Sequence, residues 1–236
     1  MSKTEIFIDA AQLATWTAEW IAGLIAAKRG RFRIALTGGS TPRGLYSELA
    51  SRFHDAVNWS QVDFFWGDER FVPHDHPDSN YRMASETLLS HIAVPDENIH
   101  PIPGEGDPDA AARQYEAVLK RAYGSESLDP ARPLFDLVLL GLGGDGHICS
   151  LFPGSPALDE KQRWVVPVTK GRPETRITLS YPAIESSRMT AFVVTGAEKT
   201  QAVDGVRSGD QSLPGARLRP TGELIWLLDR AAAGLA

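Results

Sequence analysis

The chain has 236 residues, 42% hydrophobic and 23% charged, the ordinary mix of a globular protein, which sets aside disorder and repeat architectures. A formal net charge of −6 argues against a nucleic-acid binder, which needs a basic excess to replace counterions on phosphates; a small phosphate ligand needs only a few local cations. The one cysteine, Cys149, rules out an intrachain disulfide and fits a reducing compartment. Met1-Ser2-Lys3-Thr4-Glu5 has no apolar signal core and no stretch reaches membrane-span length, so a cytoplasmic location is expected.

Thr4–Ile8 alternates as a short strand. Asp9 follows as a helix N-cap, with Gln12 completing a capping-box pattern. Leu13, Trp16, Trp20 and Leu24 fall on one helical face, and Lys28, Arg29 and Gly30 mark the helix end. Arg33–Leu36 is a strand, and Arg43 to about Phe53 a helix. Val62–Trp66 is a strand running into Gly67-Asp68-Glu69-Arg70. A helix is expected from about Asn80 to Ile92, and another from the Asp107-Pro108 cap to about Tyr123. Gly124–Pro133 reads as a surface loop. Leu137–Leu140 is a fully apolar strand ending at Gly141. Further strands are expected at Trp164–Val168, Arg176–Ser180, Thr190–Val194 and Leu224–Leu228, with a helix over Ala197–Val206.

Strands alternating with helices imply a mostly parallel sheet covered on both faces, a Rossmann-like α/β fold, here one domain over residues 1–236. Ligands gather at the C-terminal ends of such strands. Polar clusters follow Leu36, Trp66 and Leu140 directly, so a shared site is expected there.

The first cluster, Gly38-Gly39-Ser40-Thr41-Pro42, joins two glycines that permit close backbone approach to the start of a helix. Such a start suits phosphate, and it is equally the form of a plain capped turn. The second, Asp68-Glu69-Arg70, can orient a polyol and stabilise an anion, or form a surface ion pair. The third, Gly141-Leu142-Gly143-Gly144-Asp145-Gly146-His147, matches the dinucleotide pattern G-x-G-x-x-G. Phe152-Pro153-Gly154 arrives too soon for the long helix that pattern opens, and no acidic residue ends the next strand, so NAD is not expected. The loop instead presents Asp145 and His147, a pair suited to proton transfer near neutral pH.

Other candidates are weaker. His74-Asp75-His76 has no third partner of metal-ligand spacing, so no metal and no cofactor are expected. Ile148 and Leu151 mark Cys149 as a packed thiol. Neither Ser40 nor Ser155 sits in a G-x-S-x-G elbow.

Together the clusters resemble the 6-phosphogluconolactonases of the pentose phosphate pathway. The resemblance runs through Ala35–Pro42, Phe65–Pro73 with Asp78-Ser79-Asn80-Tyr81, Gly141–His147 with Ser150–Ser155, Arg176–Leu179 and Gly196–Lys199. It covers nearly the whole chain. It implies a hydrolase that opens 6-phospho-D-glucono-1,5-lactone, with no nucleic-acid or membrane partner, acting as a monomer or homodimer. His147 is then the general base and later the acid, Asp145 its orienting partner, Arg70 the oxyanion group and Asp68 a ligand of a sugar hydroxyl. By the same resemblance Gly39, Ser40, Thr41, Arg176 and Lys199 hold the 6-phosphate. Glucosamine-6-phosphate deaminases share the Gly-rich loop and the Asp-Gly-His stretch. They carry Phe-Asn-Glu-Pro-Gly where this chain has Ser150-Leu151-Phe152-Pro153-Gly154, and Asp-Glu-Tyr where it has Asp68-Glu69-Arg70. A non-catalytic sugar-phosphate sensor would need a DNA-binding module, for which the chain has neither spare length nor a basic patch.

Overall fold

The computed structural model describes residues 3–170 and 173–235. Its most apolar runs lie in the middle of a sheet, because only a strand covered on both faces can be apolar at every position. β5 (Phe135–Leu140) is buried throughout and lies between β2 (Phe32–Leu36) and β8 (Ser187–Val194). β3 (Val62–Trp66) forms one edge; β9 (Glu223–Asp229) and β1 (Lys3–Phe7) complete the other side. The order is β1-β9-β8-β5-β2-β3, and every pairing is parallel.

Helices cover both faces. Phe7 packs on Trp16 of α1 (Ala10–Ala27), with ring centroids 5.2 Å apart. Thr4, on the opposite face of the same strand, accepts from Arg207 of α6 (Thr200–Ser208). Between them lie α2 (Ser40–Phe53), α3 (Asn80–Thr87), α4 (Pro108–Tyr123) and the short α5 (Tyr181–Glu185).

The start of α1 and both ends of α4 operate as read, but α1 stops at Ala27 with an extended Lys28 as its C-cap, so Lys28, Arg29 and Gly30 lie beyond its last turn. Asp9 accepts from the Gln12 N–H, while Gln12 Oε1 accepts from the Ile8 N–H; the reciprocal bond thus falls one residue before the cap. Asp107 caps α4, and Gly124, at φ 78°, closes it. Three further readings are corrected. Leu13, Thr17, Ile21 and Ile25 form the deep face of α1, and Trp16 and Trp20 are only half-buried, stacked on its margin. α2 starts at Ser40, three residues earlier than expected, because Gly39 at φ 109° serves as its N-cap. The helix expected to reach Ile92 stops at Thr87, and a 3₁₀ turn follows at Leu89–His91.

The larger difference is a second sheet. β6 (Val165–Val168) and β7 (Arg176–Leu179) do not join the parallel sheet. They pair antiparallel with each other and with β4 (Asp68–Arg70), in the order β4-β7-β6. A short antiparallel pair needs no crossover helix. Among the described residues no helix lies between β6 and β7, and the acidic-basic triplet is itself a strand, paired with β7.

Two buried tyrosines fix where the parallel strands stop. Tyr46 donates to the Thr37 carbonyl (2.8 Å) and accepts from the Thr37 N–H (3.0 Å), immediately after β2. Tyr115 does the same at Trp66, the last residue of β3, at 3.1 and 2.8 Å. Neither side chain is exposed, and burial pushes both phenols far up in pKa. Tyr115→Phe removes both partners of one backbone residue. It is expected to cost about 1–3 kcal/mol, the desolvation penalty of buried groups left unpaired. A chemical-denaturation midpoint lowered at unchanged slope checks this; an unchanged midpoint would show that the clip carries no stability.

Candidate active site

The polar clusters meet in a cleft of about 380 Å³ at the C-terminal ends of β2, β5 and β8, walled by β4 and β7. Gly39, Ser40, Thr41, Asp68, Arg70, His147, Arg176 and Lys199 all line it. Asp145 stands behind His147.

One wall is the N-terminus of α2. Its first N–H groups have no partner inside the helix and lie at the positive end of its dipole, the arrangement that favours an anion. Gly38 is required by a close approach: a Cβ there would lie 1.9 Å from Asn80 Oδ1. Thr41 Oγ1 lies 2.7 Å from Thr195 Oγ1, which joins this wall to the end of β8. Lys199 closes the side, on a 3₁₀ turn before α6 rather than within the helix expected there.

The opposite wall is the loop after β5. It forms no helix; turns lead to a short bridge between Ile148 and Leu151, as the loop reading required. The Gly143 N–H donates to the His147 carbonyl, the Gly146 N–H to the Gly143 carbonyl and the Gly215 N–H to the Gly146 carbonyl. These bonds hold His147 in a tight turn. His147 Nδ1 lies 2.5 Å from Asp145 Oδ1. The carboxylate can only accept, so Nδ1 carries the proton and Nε2 is left for the cleft. Phe152 packs on the imidazole at 4.8 Å between centroids.

β4 supplies the floor. Asp68 and Glu69 are buried, at 8% and 1% exposure, which overturns the surface ion-pair reading of the triplet. Glu69 faces the protein and caps α3: it accepts from the N–H groups of Arg70, Asn80 and Tyr81 and from Ser79 Oγ. Burial pushes its pKa up against these donors. Arg70 and Arg176 are directly opposed across the β4–β7 pair. Arg70 Nη1 donates to the Asp78 carbonyl and Arg176 Nη2 to Glu174. Arg176 Nε is buried without a hydrogen-bond partner. Burial, and then the Arg70 charge, lower the Arg176 pKa. Opposed like charges are unfavourable in a sheet, so register holds the two guanidinium groups together against their own repulsion.

The cleft also contains residues that the sequence reading did not assign: Thr37, Asn80, Ser150 and Thr195. Asn80 and Ser150 lie in segments that carry the family resemblance, their only signal; Thr195 has none beyond its place at a strand end. Cys149 lines the cleft as well, and burial pushes its thiol up in pKa, which weakens it as a nucleophile. His74 Nε2 lies 2.8 Å from the Ile102 carbonyl, and His76 Nδ1 accepts from the Asp78 N–H. Among the described residues no group of three or more His, Cys, Asp and Glu side chains is arranged to hold a metal ion.

This is an α/β protein with a cleft lined by Arg70, Arg176, Lys199, Asp68 and His147 at the C-terminal edge of a parallel sheet. Residues 8–226 match the family described as glucosamine-6-phosphate isomerases/6-phosphogluconolactonase. The chain is 44% identical over 211 residues to the 6-phosphogluconolactonase of Synechocystis sp., covering 87% of this chain and 85% of that one. It superposes on the 6-phosphogluconolactonase of Trypanosoma brucei with a TM-score of 0.82 and 33% identity, over 100% of this chain and 99% of that one. A monomeric glucosamine-6-phosphate deaminase, at TM-score 0.85 and 23% identity over 99% of this chain and 100% of that one, shares the fold. The chain belongs to the glucosamine-6-phosphate isomerase/6-phosphogluconolactonase family.

A Cβ on Gly143 would lie 1.9 Å from His147 Nδ1. Gly143→Ala is therefore expected to push the imidazole off Asp145 while the fold survives. The measurement is the His147 ring resonances by NMR, with the melting temperature as control; unchanged resonances would contradict the placement of the ring.

Proposed function

We propose that the protein hydrolyses 6-phospho-D-glucono-1,5-lactone to 6-phosphogluconate in the oxidative pentose phosphate pathway, with the whole chain acting as one catalytic domain. The observation that carries the reading is the His147–Asp145 pair, 2.5 Å apart, in a cleft that also holds Arg70, Arg176 and Lys199. The 6-phosphogluconolactonase relatives support the same substrate. A cytoplasmic location belongs to this reading and rests on the single cysteine.

A lactone is a cyclic ester. His147 Nε2 takes a proton from water as the water oxygen bonds to the carbonyl carbon. Asp145 holds the ring in the tautomer with Nδ1 protonated and stabilises the cation that forms, as in triad chemistry without a protein nucleophile. Arg70 stabilises the oxyanion. When the tetrahedral centre collapses, the bond from that carbon to the ring oxygen breaks, and His147 returns its proton to the leaving oxygen. Asp68 takes a sugar hydroxyl. Gly39, Ser40 and Thr41, at the α2 N-terminus, hold the phosphate with Arg176 and Lys199.

His147→Ala is expected to lower turnover roughly 10²–10⁴-fold, the range of general acid–base catalysis. Lactone hydrolysis measured above the spontaneous background checks this, and near-wild-type turnover removes His147 from the mechanism. Replacing Arg176 or Lys199 with Ala is expected to weaken catalysis on the phosphorylated lactone by a few kcal/mol at most, about the strength of charge-assisted hydrogen bonds. Unphosphorylated gluconolactone should lose far less. Because remote binding energy also positions the carbonyl, kcat as well as KM is expected to suffer. Comparing kcat/KM for both lactones decides it: equal losses on the two substrates would sink the phosphate assignment.

A further inference from the structure

The carboxylate on the cleft floor is held by the loop that carries His147. Asp68 Oδ2 accepts from Ser150 Oγ at 2.6 Å, and the Asp68 carbonyl accepts from Asn80 Nδ2 at 3.0 Å. Ser150 is 1% exposed and lies three residues after His147. Its N–H donates to Thr178 Oγ1 at 3.2 Å, and Thr178 is the register partner of Asp68 across the β4–β7 pair. Ser150 is thus tied to both strands of the second sheet where they meet. The residue before it, Cys149, adopts φ 47°, and is the one non-glycine residue with positive φ among those described. Strain of this kind persists only where the surroundings impose it. Here the turn swings Ser150 onto β4. A Cβ on Gly67, the residue before Asp68, would lie 2.9 Å from Cys149 Sγ, so the loop lies directly on that strand.

We propose that Ser150 is a positioning residue: its hydroxyl locks the Asp68 carboxylate to the His147 loop and so fixes the sugar-hydroxyl contact relative to the proton-transfer group. With Oδ2 taken, Oδ1 is the oxygen left for substrate. Without the bond the carboxylate is free to rotate about its broad terminal torsion. A shift of about 1 Å in such a contact can cost roughly 10²-fold in rate. The inference rests on the lactonase reading above.

The test is a double-mutant cycle on the full-length protein, with kcat and KM measured for the phosphorylated lactone. Ser150→Ala is expected to lower kcat roughly 10- to 100-fold with little change in KM. In an Asp68→Ala background the same change is expected to cost nothing further, because the carboxylate it positions is already gone. Ser150→Cys is close in size and replaces the O–H with a weak S–H donor; it should show a similar kcat loss at the wild-type melting temperature, which separates the role from misfolding. Losses that multiply in the double variant, or wild-type kcat in both single Ser150 variants, would overturn the role of Ser150 and leave the lactonase reading intact. A wild-type protein that does not hydrolyse the lactone would remove both.

Discussion

Everything at the cleft depends on where β2 and β3 are made to stop. A strand buried on both faces has no polar side chain with which to end itself, and its backbone groups need partners wherever pairing lapses. Tyr46 and Tyr115 supply them by clipping both polar groups of Thr37 and of Trp66. The chain leaves the sheet at two fixed points. At one it turns through Gly38 and Gly39 into α2; at the other it passes through Gly67 into β4. Thr37 itself lines the cleft, so the clip and the site share a residue.

From those points the two sheets divide the chemistry. The parallel sheet supplies loops whose polar atoms are largely backbone: the α2 N-terminus and the glycine turn that holds His147. The antiparallel sheet supplies side chains from strands, Asp68 and Arg70 on β4 and Arg176 on β7, with their spacing set by register. A strand places a charge more reproducibly than a loop, because ladder bonds fix the backbone on both sides. Ser150 and Asn80 are the struts between the two systems.

The fold is legible in the sequence because its signals are local. β3 and α4 have the bounds that a mainly apolar run, and a cap, a proline and a glycine, predict for them. The three polar clusters are legible as one site because ligands collect where parallel strands end. The second sheet is not legible. β6 and β7 read as ordinary strands, and nothing within a strand shows which sheet it joins; that depends on partners far along the chain. Glu69 is misread for the same reason: besides the Arg70 N–H, its donors are Ser79, Asn80 and Tyr81, ten to twelve residues away, and a carboxylate between Asp and Arg looks solvated until the helix it caps is known. Helical spacing sets Trp16 and Trp20 too deep, because it gives a face and not its depth.

The protein carries a net charge of −6, yet concentrates cations around one cleft, two of them opposed across a strand pair. Such an arrangement costs stability: burial and mutual repulsion both work against the charge on Arg176. It is offset in part within the protein, where Glu174 takes one nitrogen of Arg176 and the Asp78 carbonyl one of Arg70. Arg176 Nε is left buried with no acceptor. A solvated surface arginine would relax outward. These two are held by register, and β4 is anchored in turn by Glu69 at the start of α3. The unfavourable electrostatics of the floor is therefore a property of the fold, and on the proposed reading the substrate's phosphate relieves it. In the proposed function recognition is accordingly governed first by charge, and His147 and Asp68 place the neutral lactone ring by geometry.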